Sequence, residues 1–279
     1  LKVQLIWDDF TWQRPTSRKR GFLWEGTGDA RHLLRVPGAA FHAYRPHPGI
    51  FRDFAGLQPT PAAVLTFANR YGALRREPDR EPFSFWRQGI LQMAALVRLS
   101  DAVSAGDWKK IPEALEPFLA DAALATAADI RPLRQKRKRG EMISRNEQVH
   151  VAVMRLYHAI APLERLAGEG SWNSVSGAVE VRLKPADLLG YLFLQLGVAF
   201  LEGRRFRQCP GCGKWWLLAP GVNRADRSTC SGYCRLKLYR QRRAQAVVLH
   251  QQGWVAEEIA KEIGSEVSKV KSWLAEAKG

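Results

Sequence analysis

The chain has 279 residues, 46% hydrophobic and 25% charged, the mix of a globular protein with room for one large or several small domains. Its charge is the outlier: 43 Lys and Arg against 27 Asp and Glu, a formal +16, which favours polyanions such as nucleic acid or an anionic surface. The opening LKVQLIWDDF turns acidic too soon for a secretory signal, and the longest apolar run, 188–201, falls short of the ~20 residues of a bilayer span. No membrane partner is expected, and the expected location is cytoplasmic and nucleoid-associated.

In chain order, residues 1–58 read as irregular, with Trp7, Trp12 and Trp24 among Pro and Gly, followed by FHAYRPHPGIFRDF. A helix is predicted from Pro61, with Thr60 as N-cap and Gly72 near its end. Trp86, Ile90, Met93 and Val97 then fall on one helical face. The basic run Arg134, Lys136, Arg137, Lys138 and Arg139 reads as a solvated loop, with a phosphate-contacting loop as the alternative. Ser144 and Glu147 form a capping box ahead of a helix with Val149, Val153, Leu156, Ile160 and Leu163 on one side, shortened by Pro162. VEVRL (179–183) alternates as a strand, and Pro185 opens an apolar helix ending near Gly203. The predicted class is mainly α: a helical effector or partner domain over 1–203, then two small modules.

All four cysteines lie in CPGCGKWWLLAPGVNRADRSTCSGYC, as Cys209-x2-Cys212 and, seventeen residues on, Cys230-x3-Cys234. In a reducing compartment clustered thiols favour metal over disulfides. A CxxC turn sets two sulfurs on one side of a knuckle, and a second pair at this spacing completes a tetrahedron for structural Zn2+. Four thiolates leave no open coordination position for hydrolysis. An iron–sulfur cluster accepts the same ligands. A redox pair would require a thioredoxin-like βαβ context, which is absent.

Residues 204–243 carry eleven cations against the single acid Asp226. A four-thiolate zinc centre has a formal charge of only −2, so the surplus needs an external anion or simple solvation, with phosphate backbone the best candidate. Arg224, Arg227, Arg235, Lys237, Arg240, Arg242 and Arg243 are the candidate contacts. Of Trp215 and Trp216, one is expected to pack under the metal site, leaving the other as a candidate for base stacking.

The segment RRFRQCPGCGKWW…STCSGYCRLKLYRQRR resembles the CGNR-type zinc finger of bacterial transcription regulators, where the finger follows a helical domain termed ABATE. TFANRYGAL (66–74) is similar in style to that domain. The name-giving Cys-Gly-Asn-Arg stands here as Cys234-Arg235-Leu236-Lys237. The resemblance implies a zinc-stabilised DNA-binding regulator without catalytic residues.

Residues 244–279 read as a helix-turn-helix. Ile259, Ala260 and Ile263 face inward, Gly264 makes the turn, and Val267, Val270, Trp273 and Leu274 pack the second helix back. Ser268, Lys269, Lys271 and Ser272 then face outward as candidate duplex DNA contacts. The helix leaving Cys234 is expected to run unbroken to about Gln252, joining the 204–243 finger to this tail. The alternative for the tail is a helical hairpin that packs on the N-terminal domain or forms a homodimer. A second reading of the whole chain is an accessory subunit, whose zinc module and helical tail recruit it through a protein partner to a larger nucleic-acid machine of a mobile-element or phage-defence system. No paired carboxylates, zinc-hydrolase motif, phosphate loop or nucleophile elbow occurs, so an enzyme (nuclease or toxin) is not expected.

Overall fold

Trp86, Ile90 and Met93 sit at helical spacing, and the helix they predict is the centre of an N-terminal unit. The computed structural model describes residues 2–6, 10–17, 21–75, 80–120, 131–144, 146–148, 151, 166–173, 178–218 and 227–277. The chain divides into two units, Leu1–Arg205 and Phe206–Gly279.

In the first unit, the central helix α3 (Phe83–Ser104) packs against α1 (Ile50–Ala55), α4 (Ile111–Ala120) and α6 (Leu188–Leu201). Its buried stripe starts with Trp86, Ile90 and Met93 and continues through Leu96 and Leu99, while Val97 stays half-buried. Helix α2 (Pro61–Tyr71) begins as read: Thr60 Oγ1 accepts from Ala63 N at 3.4 Å, with Pro61 at the first position. Phe54, Phe67 and Trp86 form an aromatic cluster between α1, α2 and α3.

The expectation of a mainly α chain fails here: the architecture is mixed α/β. The first unit holds strands β1 (Lys2–Ile6), β2 (Trp12–Pro15), β3 (Phe22–Glu25), β4 (His32–Arg35), β5 (Phe41–Tyr44), β6 (Arg80–Pro82), β7 (Leu166–Asn173) and β8 (Ala178–Pro185). Among the described residues, β1 runs parallel to β8, which pairs antiparallel with β7. Strands β2 and β5 pair antiparallel, and β3-β4-β6 form an antiparallel sheet. Most of these strands are too short to show alternation, β2 ends in Pro15, and β7 is broken by glycines, so no period-2 signal stands out. The VEVRL segment, which does alternate, lies in the central strand β8.

Two local expectations are also corrected. The basic run lies in helix α5 (Arg131–Lys138) and the turn that follows it, not in a loop. Its cations find acids distant in sequence: Lys136 reaches Glu147 at 2.5 Å and Arg137 reaches Glu116 at 2.7 Å. Pro185 ends β8, and Asp187 caps α6 by accepting from Gly190 N at 2.7 Å. The Ser144–Glu147 capping box forms, with Glu147 N donating to Ser144 Oγ and Ser144 N donating to Glu147 Oε2. Val149, Val153, Leu156, Ile160, Pro162 and Leu163 lie outside the described residues.

The second unit comprises the pair β9 (Arg205–Gln208) and β10 (Trp215–Leu218), then helices α7 (Gly232–Gln251), α8 (Ala256–Ile263) and α9 (Val267–Glu276).

Candidate metal centre and nucleic-acid interface

The first pair of cysteines sits in the turn between β9 and β10. Gly213 N and Cys212 N both donate to Cys209 O, at 2.7 and 3.3 Å, and Cys209 N donates to Lys214 O at 2.9 Å. Gly213 has φ +71°, the left-handed region that favours glycine. At Gly211 a Cβ would lie 2.8 Å from Cys234 O, so this position admits no side chain without moving the second pair. The second pair is set by a helix start. Ser231 caps α7, its Oγ accepting from Cys234 N at 3.2 Å, which places Cys234 in the first turn, where the helix dipole favours an anion.

These elements bring the four sulfurs within 4.8 Å of one another. Zn–S bonds of about 2.3 Å in a tetrahedron separate the sulfurs by about 3.8 Å. Cys212 and Cys230 stand 3.6 Å apart, and Cys230 and Cys234 3.5 Å. Burial first, then the neighbouring sulfurs of Cys234, Cys209 and Cys212, push the Cys230 thiol up to about 12. Burial acts the same way on Cys209, but the N–H groups of Cys230, Gly211 and Cys212 outweigh it and bring that thiol down to about 6. Four such sulfurs ionise together only around a cation, so the donor set suits a metal ion with all four positions filled by protein.

Arg227, read from the sequence as a phosphate contact, is turned inward. Its guanidinium donates to Thr229 O at 2.9 Å and Cys230 O at 2.5 Å and stacks over Trp216 at 5.1 Å. Arg207 in turn donates to Arg227 O at 2.7 Å. The guanidinium thus braces the backbone of the second knuckle, and Trp216 is the tryptophan packed beneath it. Arg224 lies outside the described residues.

The single helix α7 carries Cys234 at one end and packs on α8 and α9 at the other. Ala246, Ile259, Ala260, Ile263, Val270, Trp273 and Leu274 form the buried centre of this three-helix module. Gly264 ends α8 at φ +61°, ψ +51°, a left-handed cap, and three residues separate α8 from α9. Trp273 Nε1 donates to Tyr239 Oη at 2.9 Å, fixing α9 to the middle of α7. Sequence reading missed this bond, because nothing at 239 marks its partner at 273. It also missed Ser231, although a Ser three residues before a ligand at a helix start is a legible cap signal.

The predicted contacts separate into two electrostatic groups. On α9, Ser268, Lys269, Lys271 and Ser272 are all exposed. Yet Lys269 is paired with Glu266 at 3.4 Å, Lys271 with Glu257 at 2.9 Å, and Ser272 Oγ donates to Glu276 Oε1 at 3.2 Å. Arg243, half-buried, meets Glu276 at 3.0 Å. Arg242 lies over the turn, its guanidinium 3.7 Å from where a Cβ on Gly264 would sit. Arg235, Lys237 and Arg240 are exposed on α7, a helix without a single acid, and none of them is in an ion pair among the described residues.

In the first unit, the histidines of AYRPHPG are engaged by the protein. His42 Nε2 accepts from Arg14 Nε at 3.0 Å. His47 Nδ1 accepts from Gly49 N at 3.2 Å, while its Nε2 faces Tyr71 Oη at 3.2 Å and Asp53 Oδ2 at 3.3 Å. With both ring nitrogens occupied, His47 ties α1 to α2 rather than offering a lone pair to a ligand. No helix among the described residues is long and apolar enough to cross a membrane.

Residues 241–277, spanning the second half of α7 with α8 and α9, match the family described as the putative ATPase subunit of terminase (gpP-like). No curated protein and no solved structure matches the chain. The matched residues contain no G-x-x-x-x-G-K-[ST] phosphate loop.

Proposed function

We propose that the chain is a zinc-stabilised, duplex-DNA-binding protein that acts as a bacterial transcription regulator, with the first unit as its effector or partner part. The observation that carries this reading is the outward placement of α9 on a three-helix module whose first helix starts at the four-cysteine centre. In this reading zinc is structural. It is held by Cys209, Cys212, Cys230 and Cys234, with Arg227 bracing the second knuckle. Arg235, Lys237 and Arg240 supply phosphate contacts, and Ser268, Lys269 and Ser272 address base edges in the major groove, with Lys271 on the adjoining strand.

The likeness of residues 241–277 to a terminase subunit supports a second reading, in which the same module recruits the chain to a larger phage-related nucleic-acid machine. Both readings are tested by retaining random duplexes on the intact protein and sequencing them, alongside a Ser268→Ala/Lys269→Ala/Ser272→Ala variant. A regulator enriches a motif that the triple variant loses. An accessory subunit retains DNA without enrichment. Failure to retain duplex at low salt contradicts both.

A further inference from the structure

We propose that the exposed face of α7 from Tyr233 to Arg240 also binds single-stranded nucleic acid, sharing the cations Lys237 and Arg240 with the duplex contacts and adding Tyr233 and Leu236 to them. The proposal rests on the reading of the second unit as a nucleic-acid binder and adds a second class of ligand to it. At 100° per residue, Tyr233, Leu236, Lys237 and Arg240 share about one third of the helix circumference. Cys234 points away from that stripe to the metal centre, and Ala246 and Tyr239 point away from it to the α8–α9 pack. Tyr233 is 77% exposed and Leu236 47%, and Tyr233 makes no hydrogen bond among the described residues.

Two observations choose the occupant. Among the described residues the stripe is positively charged without a neutralising acid, so it is complementary to phosphate. It also presents a bare aromatic ring and an aliphatic side chain, which a duplex backbone does not use because duplex bases are stacked inside. A single strand exposes base faces, and these stack on aromatic side chains while its phosphates meet Lys and Arg. Lys237 and Arg240 lie about 6 and 10 Å beyond Tyr233 along the axis, within reach of one short strand. One face of Trp216 is already taken by the Arg227 guanidinium, whereas the Tyr233 ring is exposed.

The test compares anisotropy of a labelled short oligothymidylate and of a mixed-sequence duplex on the full-length protein, with metal content as the fold control. Tyr233→Ala is expected to weaken oligothymidylate binding ~5- to 160-fold, the range for loss of one stacked base. Tyr233→Phe should retain affinity, and duplex binding should be unchanged in both variants. The proposal is overturned if Tyr233→Ala leaves single-strand affinity unaltered, or if it lowers duplex affinity equally, which would make Tyr233 part of the duplex contact only. Duplex binding by a wild-type protein that ignores oligothymidylate would overturn it while leaving the proposed function standing. Binding of neither probe would remove both.

Discussion

Replacing Arg235, Lys237 and Arg240 together with Gln should remove most of the salt sensitivity of duplex binding, whereas Lys269→Gln with Lys271→Gln should remove little. Each phosphate neutralised contributes about 0.9 to the slope of log K against log salt, so three unpaired cations account for a change of about 2.7. The α9 lysines start from a different state. Phosphate must displace Glu266 from Lys269 and Glu257 from Lys271, and each freed carboxylate then stands near the DNA. Their joint loss should shift the slope by about 1 or less. Filter binding of one duplex between about 50 and 200 mM salt reads both numbers. The reasoning is refuted if the α9 pair changes the slope as much as the α7 triple, because the paired state of the lysines would then be irrelevant to binding.

Other consequences concern the scaffold. Glu81 is buried and accepts from Leu74 N, Arg75 N and Trp86 Nε1, yet burial outweighs these donors and raises its carboxyl to about 7. A folded-state value above the unfolded one means that stability is fullest below about pH 4.5 and falls as pH rises through about 7, by about 3 kcal/mol. Urea unfolding of wild type and Glu81→Gln across this window should show the decline only in the wild type, although the variant, lacking one acceptor, starts lower. Gly72 has φ +100°, and a Cβ there would fall 2.2 Å from Gln13 O. Gly72→Ala should therefore lower stability by on the order of 3 kcal/mol, read as a drop in Tm of the first unit's transition. Arg227→Ala should speed zinc transfer to a chelator relative to wild type, since the Arg227 guanidinium donates to Thr229 O and Cys230 O; an unchanged rate would contradict the bracing role.

Local signals in the sequence were readable wherever the physics is local. Thr60 with Pro61, the Ser144–Glu147 box and the Trp86–Ile90–Met93 stripe each need only a few neighbouring residues. The cysteine spacing needs only two turns and a helix start. Among the strands only the VEVRL part of β8 was readable, because the others have remote partners and most carry too few residues for alternation to register: β1, for example, joins β8 some 175 residues later. The basic run was misread for a related reason. Its helix is supported by Glu116 and Glu147, acids that no window around residue 135 contains. At the candidate site, composition revealed the positive charge but not its pairing. Only the fold shows that Arg227 is spent internally and that Lys269 and Lys271 have acids beside them, while Lys237 and Arg240 have none among the described residues.

The measurement that bears most directly on the account is zinc content of the purified full-length protein, followed by duplex retention before and after chelation at low salt. The account predicts one zinc per chain, and loss of duplex retention on chelation that is restored by returning zinc. A chain that holds no metal, or that retains duplex equally well without it, would contradict the claim that the four-cysteine centre maintains the DNA-binding form.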